Sequence, residues 1–389
     1  MQYCKNCVMP LKSALPISSD GEGVCSGCRS AKMKVKVDWD RRAKLFEELV
    51  DEYRSKDNYD CIIPVSGGKD SYYAAHLAKE YNLNALLVTY HSNSFVPEGD
   101  RNLKQMKEVF GFDHIVVYPS EEVLKKLHRL AFKLHGDMNW HNHCGLYTVP
   151  MQVAVKYKIP LVLWGDHGFT EQGGMYSHND FFEYTAKDRH ENGLHGYDWF
   201  DFVEETEGLT KKDLLWAVYP TDEEIMDIEV RGIFLSNYFF YNGNHNAKVA
   251  MEKHDWRPSQ TPFDRTYRLI SNLDDKHENG VHDYMKFVKF GYGRGTDHAC
   301  YDIRLGLMSR EEGIEMVKKY DHVKPSDLYP WLERVGMTEE EFDTIADTFR
   351  NPRIWSIKDG EWWKDNICGK PSSYGKVQIP FEREEIYKR

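Results

Sequence analysis

A short polar loop has the residue types needed to hold a phosphate group: Ser66, Gly67, Gly68, Lys69, Asp70 and Ser71. Its two glycines allow the backbone to approach a ligand closely, and free backbone N–H groups at the start of a helix favour negative charge. Lys69 adds a formal positive charge. The loop lacks the G-x-x-x-x-G-K-S/T pattern of a Walker A loop, which argues against a kinase or GTPase. An ordinary Gly-Gly turn is the alternative, but the apolar run before the loop and the helical pattern after it favour phosphate binding.

Cysteines near the N-terminus form two C-x-x-C pairs separated by 17 residues: Cys4, Cys7, Cys25 and Cys28. This spacing is typical of a tetrahedral Zn²⁺ site, and four thiolates leave no open position for chemistry at the metal. The sequence therefore predicts a structural zinc site in a ribbon-like element spanning residues 1–36. Iron–sulfur ligation and chance pairing of buried cysteines are the alternatives.

Two carboxylates, Asp166 and Glu171, follow an apolar run at residues 160–165. They are expected at the carboxyl edge of a sheet, where open α/β sheets bind ligands. We predict that they hold Mg²⁺ or the substrate. A polar, glycine-rich turn is the alternative interpretation.

Five potential metal ligands fall within ten residues: His135, Asp137, His141, His143 and Cys144. They permit a second metal site, but no pair has a spacing tied to a known metal geometry. A surface loop with incidental histidines is therefore the favoured interpretation.

The elements that position these residues follow from the hydrophobic pattern. Short apolar runs alternate with helix-length amphipathic segments at residues 61–65, 85–90, 114–118 and 160–165. This alternation is typical of parallel strands covered on both faces, so residues 37–175 are predicted to form a doubly wound α/β domain. An amphipathic helix with Asp38 as its N-cap leads into this domain. Residues 176–389 are predicted to form a mostly helical C-terminal region that binds substrate or a partner.

Composition limits the function classes. The 389-residue chain has a formal net charge of −11, which argues against a large nucleic-acid footprint while leaving room for a local basic patch. The start of the chain lacks the features of a secretory signal, and no apolar run approaches the length of a membrane span. A cytoplasmic location is expected, where the eight cysteines favour metal binding or burial over disulfides.

The loop matches the S-G-G-x-D-S signature and resembles the PP-loop ATP pyrophosphatases, which include asparagine synthetase, GMP synthetase, argininosuccinate synthetase and the tRNA thiolases. The resemblance implies the PP-loop (adenine nucleotide alpha hydrolase-like) fold. It also implies that the loop holds the pyrophosphate of ATP while a substrate oxygen attacks the α-phosphate. Nitrogen or sulfur then displaces AMP from the activated carbon.

Three longer stretches resemble the N-acetyl sugar amidotransferases of bacterial surface-polysaccharide (lipopolysaccharide O-antigen) and flagellin-glycan pathways: residues 3–10, 59–71 and 289–304. The resemblance implies conversion of an acetamido group on a nucleotide-linked sugar to an acetamidino group. Lys69 and the loop amides would then stabilise the departing pyrophosphate, and Asp70 would orient Mg²⁺ or the loop itself. The resemblance further implies that Arg294 and Arg304 contact phosphate, with Lys289 a weaker candidate. A plain Gly-rich loop around Arg294 is the alternative.

The source of nitrogen is not visible in the chain. Gln2 follows Met1, so an N-terminal cysteine nucleophile is not expected, and no cysteine sits in a Gly-x-Cys-x-Gly turn. The resemblance implies a separate glutaminase and a barrel-shaped partner like the cyclase of histidine biosynthesis, which together deliver ammonia.

Two other functions compete with this interpretation. A tRNA sulfur transferase shares the loop and often has cysteine pairs, and Cys144 with Cys300 would then carry sulfur; the net acidity and the lack of a C-x-x-C pair after residue 28 count against it. A nucleotide-sensing protein without catalysis is disfavoured by the intact Lys69, Asp70 and Ser71. The particular sugar stays open.

Overall fold

The computed structural model describes residues 1–15, 17–203, 207–275, 278–379 and 385–387. The strands of these residues are β1 (Cys61–Pro64), β2 (Ala85–Tyr90), β3 (Asp113–Val117), β4 (Leu161–Trp164), β5 (Glu183–Tyr184), β6 (Arg231–Phe234), β7 (Ser356–Lys358), β8 (Glu361–Asp365) and β9 (Pro371–Lys376). The helices are α1 (Ser26–Lys34), α2 (Trp39–Glu52), α3 (Lys69–Glu80), α4 (Pro97–Phe110), α5 (Glu121–His135), α6 (Trp140–Tyr157), α7 (Ala186–Asp188), α8 (Asp222–Ile228), α9 (Gly243–His254), α10 (Glu278–Phe290), α11 (Arg294–Arg304), α12 (Arg310–Tyr320), α13 (Leu328–Val335) and α14 (Glu339–Asp347). Short 3₁₀ or π-helical turns cover Phe169–Gly173, Arg189–Gly193, Trp199–Phe202, Lys211–Ala217, Leu235–Asn237 and Glu385–Tyr387.

The central sheet has the strand order β3-β2-β1-β4-β6-β5. All neighbouring strands are parallel except β5, which runs antiparallel to β6. Successive side chains of β1 point to opposite faces, so Ile63 packs with α2, α3, α4 and α9, whereas Ile62 packs with α6. Both faces of the sheet are therefore covered, and the predicted doubly wound α/β class is confirmed.

The order of the strands places a crevice next to β1. The chain passes from β1 outward to β2 and β3, then returns to place β4 on the other side of β1. Ligands of open α/β sheets bind outside the carboxyl ends of strands at such a reversal. The segments that follow β1 and β4 therefore meet at this edge, and they contain the Ser66–Ser71 loop and Asp166.

The sheet extends past the predicted domain boundary at residue 175, because β5 and β6 both belong to it. These strands have only two and four residues, too short to give a visible alternation in the sequence. The C-terminal region contains the predicted helices, including α12 and α14, and also a small antiparallel sheet with the order β7-β8-β9. Within the described part of the chain, no helix is long and apolar enough to cross a membrane.

Candidate functional site

The loop after β1 is a tight, braced turn that opens directly into α3. Gly67 has φ +74°, and a Cβ there would lie 2.7 Å from the backbone nitrogen of Leu103. The Ser66 N–H donates to Ser71 Oγ (2.9 Å), and Trp256 Nε1 donates to the Gly67 carbonyl (2.9 Å). Gly68 is the N-cap of α3 and provides no side chain to cap it, so the first N–H groups of the helix stay available for an anion.

A pocket of about 190 Å³ lies beside this loop, and we call it the loop pocket. Its charged lining side chains come from the loop, from the segment after β4, from the end of α1 and from the C-terminal region. They are Lys34, Lys69, Asp70, Asp166, Glu171, Arg268 and Arg304. The structure thus brings together all but Arg294 of the predicted catalytic and ATP-binding residues that carry a charge.

Lys69 and Asp70 form an ion pair at the start of α3. Lys69 Nζ lies 2.7 Å from Asp70 Oδ2, while Asn246 Nδ2 donates to Asp70 Oδ1 at 2.7 Å. The Tyr241 hydroxyl donates to the Asp70 carbonyl (2.8 Å), which ties the first turn of α3 to the segment before α9. Both charged groups face the loop pocket, so they can separate to meet a phosphate and a cation.

Glu171 is held by a lysine from the cysteine element. Lys34 Nζ donates to Glu171 Oε2 (2.5 Å) and to the Tyr241 carbonyl (2.7 Å), and both charged side chains are more than nine-tenths buried. Glu171 Oε1 is buried without a hydrogen-bond partner in the described residues, and His178 Nδ1 is 4.0 Å away. An unpaired carboxylate oxygen facing this pocket fits a ligand of Mg²⁺.

Asp166 has no ion-pair or hydrogen-bond partner among the described side chains. Its carboxylate is open to solvent in the loop pocket, yet protein surrounds it on the other sides. This enclosure, together with the nearby Asp70 and Glu171 carboxylates, raises the pKa of Asp166 to about 6. A cation bound between the three carboxylates would relieve their repulsion.

Two arginines, Arg268 and Arg304, also line the loop pocket. Arg268 is paired with Asp302, its NH2 group lying 2.5 Å from Oδ1. Arg304 donates to the Gln172 carbonyl (2.8 Å) and lies 3.6 Å from Cys25 Sγ, while its Nε is buried without a partner in the described residues. Arg304 therefore connects the loop pocket to the cysteine cluster.

The four N-terminal cysteines form one buried cluster: Cys4, Cys7, Cys25 and Cys28. The Sγ atoms of Cys4 and Cys28 are 4.0 Å apart, and those of Cys7 and Cys25 are 3.7 Å apart. Zn–S bonds of roughly 2.3 Å in a tetrahedron give sulfur–sulfur distances of about 3.8 Å, so the donor set fits Zn²⁺. The Arg304 guanidinium would offset part of the negative charge of four thiolates.

The cysteine element packs directly on the turn after β4. Ser26 Oγ donates to the Gly173 carbonyl at 2.6 Å. A Cβ on Gly27 would lie 2.3 Å from the Gln172 carbonyl oxygen, and a Cβ on Gly174 would lie 2.7 Å from the Ser26 carbonyl oxygen. Only glycine permits this approach of α1, which delivers Lys34 to the loop pocket.

Arg294 lies away from the loop pocket. It forms a buried ion pair with Asp283 (NH2 to Oδ1, 2.6 Å) and is 3.4 Å from Asp297 Oδ2. It lines a second pocket, of about 210 Å³, on the Ser66 side of the loop. The polar residues of this second pocket are Ser66, Asn139, Asn142, His143, Asn272, Asp274, Asn279, His282 and Arg294. The catalytic role of Arg294 stays a prediction.

Three further candidates have structural partners. Lys289 donates to the His135 carbonyl at 2.9 Å. Cys144 packs in a cluster with Trp140 and contacts Arg189, whereas Cys300 packs with the cysteine element. The two cysteines are thus buried in different cores, which does not favour a sulfur-carrying pair.

The histidine-rich segment does not form one group. His141 turns inward, where its Nε2 lies 2.9 Å from Glu278 and 3.0 Å from His128. His143 instead lies close to Asp137 and His195, and burial lowers the pKa of His143 to about 3, so its imidazole is neutral. The sequence favoured a surface loop with incidental histidines, but this interpretation is wrong, because His141, His143 and Cys144 lie on α6 and Asp137 is buried before it.

Sequence comparison finds one family match and one curated relative. Residues 260–367 match the C-terminal domain of LPS biosynthesis proteins described as WbpG-like. The uncharacterized protein MJ1599 of Methanocaldococcus jannaschii is 28% identical over 116 residues, which are 29% of this chain and 42% of that protein. The chain therefore spans less than half the length of this relative.

Comparison with solved structures finds synthetases of low similarity. The NH3-dependent NAD synthetase of Campylobacter jejuni has 12% identity and a TM-score of 0.28, covering 50% of this chain and 93% of that one. The NMN synthetase of Francisella tularensis has 14% identity and a TM-score of 0.27, covering 58% of this chain and 99% of that one. TM-scores this low carry no argument about the fold. The fold class is therefore assigned from the strand order and directions of the central sheet.

The sequence did not point to four residues that line the loop pocket, Lys34, Arg268, Tyr241 and His298, nor to Asn246, which donates to Asp70. Each lies far along the chain from the loop, and none is part of a recognisable motif. Only Lys34 has a position in the sequence that could have indicated a role, because it is the last residue of the helix that begins at the second C-x-x-C pair.

We expect Gly27→Ala to separate α1 from the turn after β4. Its Cβ would overlap the Gln172 carbonyl and the Arg304 guanidinium, at 2.3 and 2.4 Å. Overpacking of this kind costs about 1–3 kcal/mol in the free energy of unfolding, measurable by urea denaturation. Gly21→Ala in the same element meets no atom within 4 Å and is the matched control. Equal stability of the two variants would contradict the packing described.

The raised pKa of Asp166 predicts a pH-dependent stability. A carboxyl with a raised pKa favours folding when protonated, so stability is lost as pH rises from about 4 through about 6. We expect Asp166→Asn to melt about 1–3 °C higher than the unaltered chain at pH 7.5, a small effect because water screens the group. At pH 4 the difference should vanish. Mg²⁺ should stabilise the unaltered chain at pH 7.5 but stabilise the variant less. A difference independent of pH would contradict this account.

Proposed function

We propose that the chain is a PP-loop enzyme that uses ATP to activate an amide on a sugar and then replaces its oxygen with nitrogen. The observation that carries this proposal is the composition of the loop pocket. Cationic groups suited to phosphate and carboxylates suited to Mg²⁺ meet at the open N-terminus of α3. The match of residues 260–367 to a WbpG-like LPS biosynthesis domain supports a sugar substrate, because that region supplies Arg268 and Arg304 to the pocket.

Within this proposal, the loop pocket receives the phosphates of ATP. Lys69 would leave Asp70 for the pyrophosphate, while the free N–H groups of α3 would contact phosphate oxygens. Asp70, Asp166 and Glu171 would hold Mg²⁺, which would offset part of the negative charge of the phosphates. The unpartnered Nε of Arg304 and Oε1 of Glu171 are buried atoms that such a ligand would satisfy.

The reaction follows from the chemistry of an amide. The acetamido oxygen attacks the α-phosphorus of ATP, and pyrophosphate leaves. Ammonia then attacks the activated carbon, and AMP leaves with the former amide oxygen, which gives an acetamidino group. Preorganised donors at the loop would stabilise the negative charge that develops on pyrophosphate.

The second pocket is suited to the sugar. It borders the loop at Ser66 and carries four asparagine side chains, Asn139, Asn142, Asn272 and Asn279. Asn139 Oδ1 is buried without a hydrogen-bond partner in the described residues. Amide groups can both donate to and accept from hydroxyl and acetamido groups. Arg294, although paired with Asp283, lines this pocket and is placed to meet an anionic part of the substrate.

Ammonia would come from partner proteins. We propose that a separate glutaminase, with a cyclase-like barrel, delivers it to the activated amide, since the described active-site pocket contains no cysteine nucleophile. A tRNA sulfur transferase gains no support, because Cys144 and Cys300 are buried in different cores.

Lys69→Ala tests the proposed chemistry. The variant should release pyrophosphate at least about 100-fold more slowly than the unaltered chain when given ATP, Mg²⁺, ammonium and a UDP-linked acetamido sugar. Bound zinc should stay unchanged, because the cysteine cluster lies apart from Lys69. The measurement is a coupled pyrophosphate assay.

Lys104→Ala is the matched control for Lys69→Ala, since Lys104 is exposed on α4 and its one ion-pair partner among the described residues is Asp100. It should keep full activity. Release of pyrophosphate by Lys69→Ala at the rate of this control would refute the proposed role of the loop.

The nitrogen source provides a separate test of the partners. The purified chain should form amidine with ammonium chloride but not with glutamine. Addition of a glutaminase of the amidotransferase type with its barrel subunit should restore the use of glutamine. Mass spectrometry of the sugar, with ¹⁵N in the donor, measures the transfer. Equal use of glutamine and ammonium by the chain alone would show that no partner is needed.

A further inference from the structure

Three potential metal ligands converge beside the second pocket: Asp137, His143 and His195. The candidate ligand atoms of these side chains lie within 4.8 Å of one another. They come from three separate parts of the chain, namely the turn before α6, the first turns of α6 and the segment after the Arg189–Gly193 turn. A metal with bonds of roughly 2.1 Å needs ligand atoms about 3.4 Å apart in a tetrahedron, so small side-chain movements are enough to complete the site.

The carboxylate of this cluster is held in place by neighbours. Asp137 is buried, and its Oδ1 accepts from His282 Nδ1 (2.8 Å) and from the Asn139 N–H (2.9 Å). No donor among the described residues reaches its Oδ2. Lys289, a half-buried lysine nearby, donates to the His135 carbonyl rather than to Asp137. These hydrogen bonds orient the carboxylate and leave Oδ2 available. Hydrogen bonds from neighbouring residues commonly orient metal ligands in this way.

The two histidines also have free ring nitrogens. His143 makes ring contacts with His195 and His282, but its ring forms no hydrogen bond with a described residue. His195 has φ +55°, a left-handed conformation that is uncommon for residues other than glycine. Backbone strain of this kind often accompanies a functional site. Here it projects a histidine toward Asp137.

A second cluster of two histidines and a carboxylate provides a contrast, because hydrogen bonds already engage its potential ligand atoms. His128, His141 and Glu278 are fully buried, with His141 Nε2 2.9 Å from Glu278 Oε2. Trp331 donates to His128 Nδ1 (3.1 Å), so His128 has its proton on Nε2 and offers no lone pair there. Arg334 pairs with Glu278 at 2.6 Å. Asp137 also has one oxygen held by His282, but its Oδ2 and the rings of His143 and His195 form no hydrogen bond with a described residue.

We propose that Asp137, His143 and His195 bind a divalent transition-metal ion, with an open coordination position toward the second pocket. Two imidazoles and one carboxylate suit Zn²⁺ and similar ions, and three protein ligands leave room for a further ligand. His143 lines the second pocket, so that further ligand would be water or an oxygen of the bound substrate. The site is distinct from the cysteine cluster, and its occupancy does not depend on the proposed function.

Metal content of the full-length chain tests this proposal. After loading with Zn²⁺ and desalting, the chain should contain two zinc ions, one on the cysteines and one on the histidine site. His143→Ala and His195→Ala should each contain one. His190→Ala is the matched control, because His190 lies in the same segment with a side chain 44% exposed and should keep two. Circular dichroism and thermal melting check that each variant folds.

Cobalt substitution gives a second readout if a variant is unstable. Co²⁺ on thiolates absorbs through sulfur-to-metal charge transfer, whereas Co²⁺ on imidazole and carboxylate shows only weak d–d bands. The unaltered chain should show both, and a chain given one equivalent of Zn²⁺ before Co²⁺ should show mainly the weak bands. One zinc ion per unaltered chain, or two in both His143→Ala and His195→Ala, would overturn the proposal.

Discussion

The loop pocket depends on one close contact, the packing of α1 against the turn after β4. Gly27 and Gly174 allow backbone to meet backbone there, and the contact carries Lys34 into a nearly buried ion pair with Glu171. Removing one partner of a buried pair leaves an uncompensated charge, which costs about 3–5 kcal/mol. The cysteine cluster holds the start of α1, and Arg304 connects the cluster to the same turn. A structural metal can therefore influence a pocket without contacting its ligand.

The charges of the loop pocket are unequally satisfied. Glu171 has Lys34 and Asp70 has Lys69, whereas Asp166 has no cationic partner among the described residues. Enclosure by the protein and the neighbouring Asp70 and Glu171 carboxylates raise the pKa of Asp166, and no ion pair of its own offsets this shift. Under the proposed function, this imbalance has a purpose: Lys69 can turn to phosphate only if a metal ion replaces it beside Asp70. Nucleotide and metal would then bind together more strongly than either alone.

The sequence was sufficient to predict features that depend on residues close together in the chain. Apolar runs predicted β1 to β4, because β1, β2 and β4 are buried on both faces and contain little else, while β3 is partly exposed. Cysteine spacing predicted the cluster that the structure brings together. The sequence was insufficient where the signal was long-range. Arg268 and Tyr241 reach the pocket only through the fold, and the two-residue strand β5 is too short to have a pattern. His195 was missed for the same reason, since its partners lie more than fifty residues earlier.

The two pockets border one loop, the second pocket at Ser66 and the loop pocket at Lys69 and Asp70. Under the proposed function, this arrangement suits transfer of AMP. In phosphoryl chemistry the attacking and leaving oxygens lie roughly in line through the phosphorus. An acceptor in the second pocket and pyrophosphate in the loop pocket would meet that requirement at the loop. Asn272 lines both pockets and has φ +52°, so a strained residue forms part of the boundary between them. The region that matches the LPS biosynthesis domain includes Asn272. Under the proposed function, that region would decide sugar specificity, while the loop after β1 would supply chemistry that does not depend on the particular sugar.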